Sequence, residues 1–150
     1  MTDLPGNYQE VLVAAVVETF ENLAFMEPEY NPDKEFAAAV TYGCSLAIQA
    51  PLQISMQVAM DEELGKVITS TVWSRQKESV DEQMCRDTLA ELLNTIAGRF
   101  MKALLPADQT FQLGLPEVSD NCCSGGDGCR VFPFSLSDSM FQIALVESER

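Results

Sequence analysis

An α+β fold is predicted for this chain of 150 residues. Three observations predict it. Long helical periods and runs of strand character are segregated along the chain and do not alternate as βαβ units. Apolar residues make up 47% of the chain, enough for one domain, residues 1–150, to bury a core of its own. The order is long helix, about three strands, short helix, long helix, about three strands. This describes two long helices and a short one packed on a mixed or antiparallel sheet of about six strands. The two halves repeat the pattern of a long helix followed by strands, which raises an internal pseudo-duplication, although their sequence identity is negligible.

The elements follow from local chemistry. Asn7 is an N-cap candidate with Glu10 three residues on, and Tyr8 to Met26 reads as a largely buried helix ended by PEYNPDK. EFAAAVTYG, LAIQAPL and QISMQVAM read as strands, the last alternating Ile54, Met56, Val58 and Met60 with polar Ser55 and Gln57. Asp61 caps a short helix, DEELGKVITSTVWS, and RQKES is a polar linker. The second long helix runs from about Asp81 to Leu105 and is stopped by Pro106. TFQLGLPEV, CRVFPFSLS and SMFQIALVE are the closing strands, the last after a turn at Ser137-Asp138. That final strand has an apolar face and few protecting charges, which favours pairing or cover.

Composition excludes several classes of function. A net charge of −14 opposes binding to nucleic acid or to an anionic membrane and favours a partner with a basic patch. The chain has no histidine, which removes Ser-His-Asp and Cys-His chemistry and the commonest metal ligand. MTDLPGNYQE lacks the basic start of a signal peptide, and the aliphatic run Val11 to Val17 is too short to span a bilayer. A cytoplasmic protein is expected. Five cysteines, an odd number without a signal peptide, argue against a disulfide framework. Cys122, Cys123 and Cys129 in NCCSGGDGC form the one metal-like pattern, but it lacks a fourth ligand nearby. No metal site is assigned, and the reading is a structural loop in which Cys129 could oxidise with one of the adjacent pair.

The informative feature is Asp87-x-x-x-Glu91-x-x-Asn94-x-x-x-Gly98 in the second long helix. At about 100° per residue, Leu89, Leu92, Leu93, Ile96, Phe100 and Ala103 share one broad face. Asp87, Glu91, Asn94 and Gly98 fall within roughly 60° of one another on the opposite side. Most acid-rich helix faces are simply solvated. Gly98, however, costs about 1 kcal/mol relative to Ala in a helix interior, and Asn94 costs several tenths. A polar-face glycine has no reason in core packing and allows a partner to approach closely.

This stripe in its long apolar helix, followed by the strand LGLPEV, resembles the signature of the CheC/CheX/FliY phosphatases of bacterial chemotaxis, most of all the stand-alone CheX branch. The resemblance spans about residues 8 to 147 and implies a CheC-like fold. It also implies hydrolysis of the phospho-aspartate of a CheY-like receiver domain. Glu91 would pair with the receiver's active-site lysine, and Asn94 would orient the attacking water. Asp87 and Gly98 would belong to the partner-binding surface. The chain would need no cofactor of its own, since the Mg2+ sits on the receiver. Homodimers that pair through their sheets are implied as well. On the first long helix, VVETFENLAFM, Glu21 stands where a second motif would carry Asn, if Glu18 matches the motif's Glu. A single active helix is therefore expected. Two other readings stay open: a non-catalytic module that docks on a receiver or flagellar switch, and a thiol metal or redox sensor built on the cysteine loop.

Overall fold

In the computed structural model, residues 4–37, 42–118 and 128–147 are described. The helices are α1 (Tyr8–Ala24), α2 (Glu62–Trp73) and α3 (Glu82–Leu104). The strands are β1 (Glu29–Tyr30), β2 (Tyr42–Ala50), β3 (Ile54–Met60), β4 (Gln112–Leu113), β5 (Glu117–Val118), β6 (Cys129–Leu136) and β7 (Ser139–Glu147). Every pairing among them is antiparallel, and they form one sheet of seven strands in the order β1-β6-β7-β3-β2-β4, with β5 also on β2.

That order is symmetric. Exchanging β1 with β4, β2 with β6 and β3 with β7 reverses it and leaves it unchanged. Each half of the chain contributes a long helix, a short edge strand and two long strands. The halves interlock: β1 pairs with β6 of the second half, and β4 pairs with β2 of the first. The repeat of helix and strands along the sequence is thus a two-fold topology in space.

Alternation on the strands sends one set of side chains under the helices. The register lines up Tyr30, Phe134, Phe141, Met60 and Tyr42 as one row across five strands. Phe141 stacks on Phe134 with ring centroids 5.1 Å apart, and Phe20 of α1 stacks on Phe141 at 4.7 Å. A second row, Cys44, Val58, Ile143 and Phe132, runs beside it and is buried throughout. Burial pushes the Cys44 thiol up to about 11, so it sits in this row as a neutral apolar group. α1 covers the β6–β7 side through Phe20 and Tyr8, whose ring meets Phe132 edge-on, while α3 lies over β2 and β3.

The helix ends follow the caps. Asp61 and Asp81 accept hydrogen bonds from the N–H groups of Leu64 and Met84, both at 2.8 Å, which starts α2 and α3 where the sequence places them. Asn7 occupies the N-cap position of α1, but its side chain makes no capping bond. α1 ends at Ala24, two residues before the expected Met26, because Phe25 turns left-handed with φ 55°. No helix is long and apolar enough to cross a membrane among the described residues.

Some expectations need correction. EFA at 35–37 is not strand, and Tyr42–Ala50 is one continuous strand running through LAIQA. Gly43 pairs with Ala59 inside that ladder and does not end a strand. TFQLGLPEV divides into β4 and β5, separated by Gly114-Leu115-Pro116, because proline cannot donate to a ladder. RQKES contains a short 3-10 turn, Lys77–Ser79. β1, only two residues long, lies in the segment read as a helix stop. The pairing expected of the last strand is met within the chain, since β7 is a central strand between β3 and β6, which satisfy both its edges. α1 is less buried than expected: Ala14 and Glu18 are exposed, and Phe25 is 82% exposed.

Gly65 is the tightest point between helix and sheet. A Cβ there would lie 2.5 Å from Cδ2 of Tyr42, whose ring is buried under α2. Gly65→Ala should therefore destabilise the protein by about 1–3 kcal/mol, because the clash outweighs the gain in helix propensity. Urea unfolding of the variant checks this, and a midpoint equal to or above wild type would refute the close contact.

Candidate active site

α3 has two sides with different duties. Leu89, Leu92, Leu93, Ile96, Ala97 and Phe100 are all at most 3% exposed and hold the helix to the sheet and to α1. Asp87, Glu91 and Asn94 are exposed on the opposite side, and Gly98 is half-exposed beside them. The structure thus brings the four residues of the sequence motif onto one open stripe. Ala103, grouped with the core by periodicity, is exposed instead. It lines a cavity of about 230 Å³ between α1 and α3 with Val11, Ala14, Ala15, Glu18 and Arg99.

The stripe's charges are distinguished by what holds them. Asp87 accepts a hydrogen bond from the Gln83 amide at 2.9 Å, and the Thr95 hydroxyl lies 3.4 Å from Glu91 Oε1. Both donors are neutral. Among the described residues, neither carboxylate has a cation within ion-pairing distance. Four other exposed acids on these helices do: Glu62 has Lys66, Glu63 has Lys77, Glu82 has Arg86 and Glu18 has Arg99, while Glu10 and Glu21 of α1 have none among the described residues. The stripe therefore presents two carboxylates that are oriented but not neutralised. That arrangement suits a cation delivered from outside the chain. The Asn94 carboxamide makes no hydrogen bond among the described residues, so its donors and acceptor are free for a ligand.

α1 lacks an equivalent stripe. Glu18 Oε2 lies 3.4 Å from the Arg99 guanidinium of α3, and Glu21 and Asn22 are both exposed beyond it. The residue that would stand as the Glu of a second motif thus already has an internal cation. Gln83 and Thr95 were missed by sequence reasoning, although each stands four residues from the acid it contacts, a spacing that marks helical neighbours. The Glu18–Arg99 pair joins two helices and has no such local signal.

The cysteine loop is a separate matter. Cys122 and Cys123 lie outside the described residues. Cys129, at the start of β6, is disulfide-bonded, so a disulfide is present where the odd count argued against a framework. Cys44 and Cys85 are free and buried.

A three-helix layer on a two-fold antiparallel sheet, with a polar stripe on the long helix, defines a CheC-like protein. The solved structures agree. The CheC-like superfamily protein of Shewanella sp. PV-4 matches with TM-score 0.75 at 19% identity, covering 97% of this chain and 100% of that one. The CheX chemotaxis protein of Vibrio vulnificus matches with TM-score 0.78 at 17% identity, covering 95% of this chain and 97% of that one. CheX of Borrelia burgdorferi, in a complex with CheY, BeF3 and Mg2+, matches with TM-score 0.73 at 18% identity, covering 95% and 98%. The sequence family described as chemotaxis phosphatase CheX matches residues 42–122, more than half of the chain and the whole of α3, and the chain belongs to that family. No curated protein matches the sequence.

Gly98 is not required by the packing around it. A Cβ built on it meets nothing within 4 Å, in contrast to Gly65. The fold itself does not need the glycine. Gly98→Ala should raise stability by roughly 1 kcal/mol through helix propensity alone. A higher urea midpoint at unchanged slope is the expected result, and a lower midpoint would mean that the chain's own packing requires the glycine.

Proposed function

We propose that the exposed stripe of α3 docks on an acyl-phosphorylated CheY-like receiver domain and hydrolyses its phospho-aspartate. One observation carries the reading. Glu91 and Asn94 stand side by side on a rigid helix, the first an un-neutralised carboxylate held by a neutral donor, the second a carboxamide with no internal partner. Membership in a family of chemotaxis phosphatases supports it, as does the fold shared with a CheX that is found in complex with CheY.

The chemistry asks for positioning more than for a strong base. Water attacks phosphorus, the bond from phosphorus to the aspartyl oxygen breaks, and the products are aspartate, inorganic phosphate and a proton. A carboxamide at Asn94 accepts a hydrogen bond from the water and holds it in line. It adds no negative charge beside the phosphoryl group, as a carboxylate would. Glu91 pairs with the receiver's lysine and fixes the register of docking. Asp87 adds to the field that draws a basic rim, and Gly98 leaves clearance for the receiver's loops. The Mg2+ that such a reaction uses is carried by the receiver. We place the reaction in the cytoplasm, where receiver domains work.

We also propose a homodimer joined at the sheet and leaving the two copies of α3 outward. Leu115 and Val118 are 87% and 52% exposed at the β4–β5 edge, on which no further strand pairs among the described residues. Leu115→Lys together with Val118→Lys should convert the dimer to a monomer in light scattering. A wild-type protein that is already monomeric at tens of micromolar would end this part of the proposal.

The test of the catalytic reading is the decay of phosphate from acyl-phosphorylated receivers of the same organism, with wild type and with Asn94→Ala. Wild type should accelerate decay of its receiver, and the variant should lose about 100-fold or more of that acceleration. The variant's unfolding midpoint should stay near wild type, since Asn94 is exposed and bonds to nothing within the chain. An Asn94→Ala protein of undiminished activity would refute the assignment. Binding without any change in phosphate lifetime would mean a docking module instead.

A further inference from the structure

Four large apolar residues are markedly exposed among the described ones: Phe25, Trp73, Leu115 and Val118. Of these, only Trp73 is hydrogen-bonded to α3. It is the last residue of α2, the chain's single tryptophan, and 44% exposed. Its indole N–H donates to the Thr88 hydroxyl at 2.9 Å. Thr88, itself 4% exposed, donates in turn to the Met84 carbonyl at 2.8 Å. The left-handed Ser74 closes α2 behind the ring through bonds from its N–H to Ser70 and Thr71. The ring's one polar atom is thus satisfied inward, and what it shows to solvent is π surface and apolar edge.

Its place matters more than its exposure. Thr88 follows Asp87 directly and precedes Glu91 by three residues, so Thr88 and Glu91 are neighbours on the helix surface. Thr95, the hydroxyl partner of Glu91, points from the same flank, about 100° round the helix from Asn94. The indole therefore borders the N-terminal half of the stripe, on the side toward which the Glu91 carboxylate is drawn. A ring fixed before binding loses little freedom on docking, and tryptophan is among the residues that most often dominate an interface.

We infer that the exposed face of Trp73 is the apolar anchor with which this chain grips a phosphorylated receiver domain, beside the pair formed by Glu91 and the receiver's lysine. The inference rests on the receiver-phosphatase reading above and adds to it a residue outside the motif. Charge complementarity selects the occupant. Neither adjoining acid, Asp87 or Glu91, has an internal cation among the described residues, so a positively charged partner surface is favoured beside the ring, and a cation over the indole gains further attraction.

The single tryptophan makes the test selective. The full chain is labelled with 5-fluorotryptophan and observed by fluorine NMR while each unlabelled receiver of the organism, activated with beryllofluoride and Mg2+, is added. The Trp73 resonance should shift or broaden with the receiver that is dephosphorylated and stay put with the others. Trp73→Ala should raise KM by at least 10-fold while kcat changes less than threefold. Trp73→Phe, which keeps a ring but cannot donate to Thr88, should recover most of the lost KM. Asn94→Ala should show the opposite split, with kcat lost and KM kept. If wild type dephosphorylates a receiver but the resonance is unmoved and KM of Trp73→Ala is within twofold of wild type, the anchor is refuted and the phosphatase stands. If no activated receiver binds wild type, both readings fall. A resonance that moves only with the protein's own concentration assigns the ring to self-association and overturns the inference.

Discussion

Everything presented by this protein depends on how α3 is clamped. One side of the helix buries a ridge of leucines, Ile96 and Phe100 over β2 and β3, with α1 alongside. A helix so fixed cannot roll or slide without opening core contacts, and close-packed interiors resist that. The opposite side thereby becomes a ruler. Asp87, Glu91, Asn94 and Gly98 keep constant spacing and a constant bearing to one another. The reaction proposed above, which places one water and one carboxylate against a foreign protein, requires that constancy.

The second organising fact is the allocation of cations. The chain has 9 lysines and arginines for 23 acids, so most carboxylates must go without a partner. Where cations are spent on the helices they fall on Glu62, Glu63, Glu82 and Glu18, all off the stripe. The stripe acids receive hydrogen bonds from Gln83 and Thr95 instead. A neutral donor orients a carboxylate without lowering its appetite for a positive charge. The same allocation separates the two long helices. On α1 Glu18 is met by Arg99, and on α3 Glu91 has no cation among the described residues.

Much of this was legible in the sequence because it is governed by local periodicity. The motif residues, the core face of α3 and the caps at Asp61 and Asp81 all depend on neighbours within a few positions. Most of the misses have a different origin. β1 is set by pairing with a distant strand, where two residues suffice if the partner is already in place, whereas the break between β4 and β5 falls at the local signal Pro116. The exposure of Ala103 depends on how far α1 stands from α3 at that level. Trp73 gave no periodic signal at all, and its importance emerges only when its indole is seen to be bonded to Thr88.

The exchange of edge strands between the halves has a consequence for the protein's history and its engineering. Because β1 closes against β6 and β4 against β2, a chain severed between α2 and α3 yields two fragments, each lacking the partner for its own outermost strand. The fragments are complementary, as the two strands of a hook-and-eye are, and only their union satisfies both edges. Architecture is therefore a joint property, while surface is not. Either long helix is free to change the residues of its outer face so long as its inner face still seats, and a fold of this kind tolerates two helices with unlike outer surfaces.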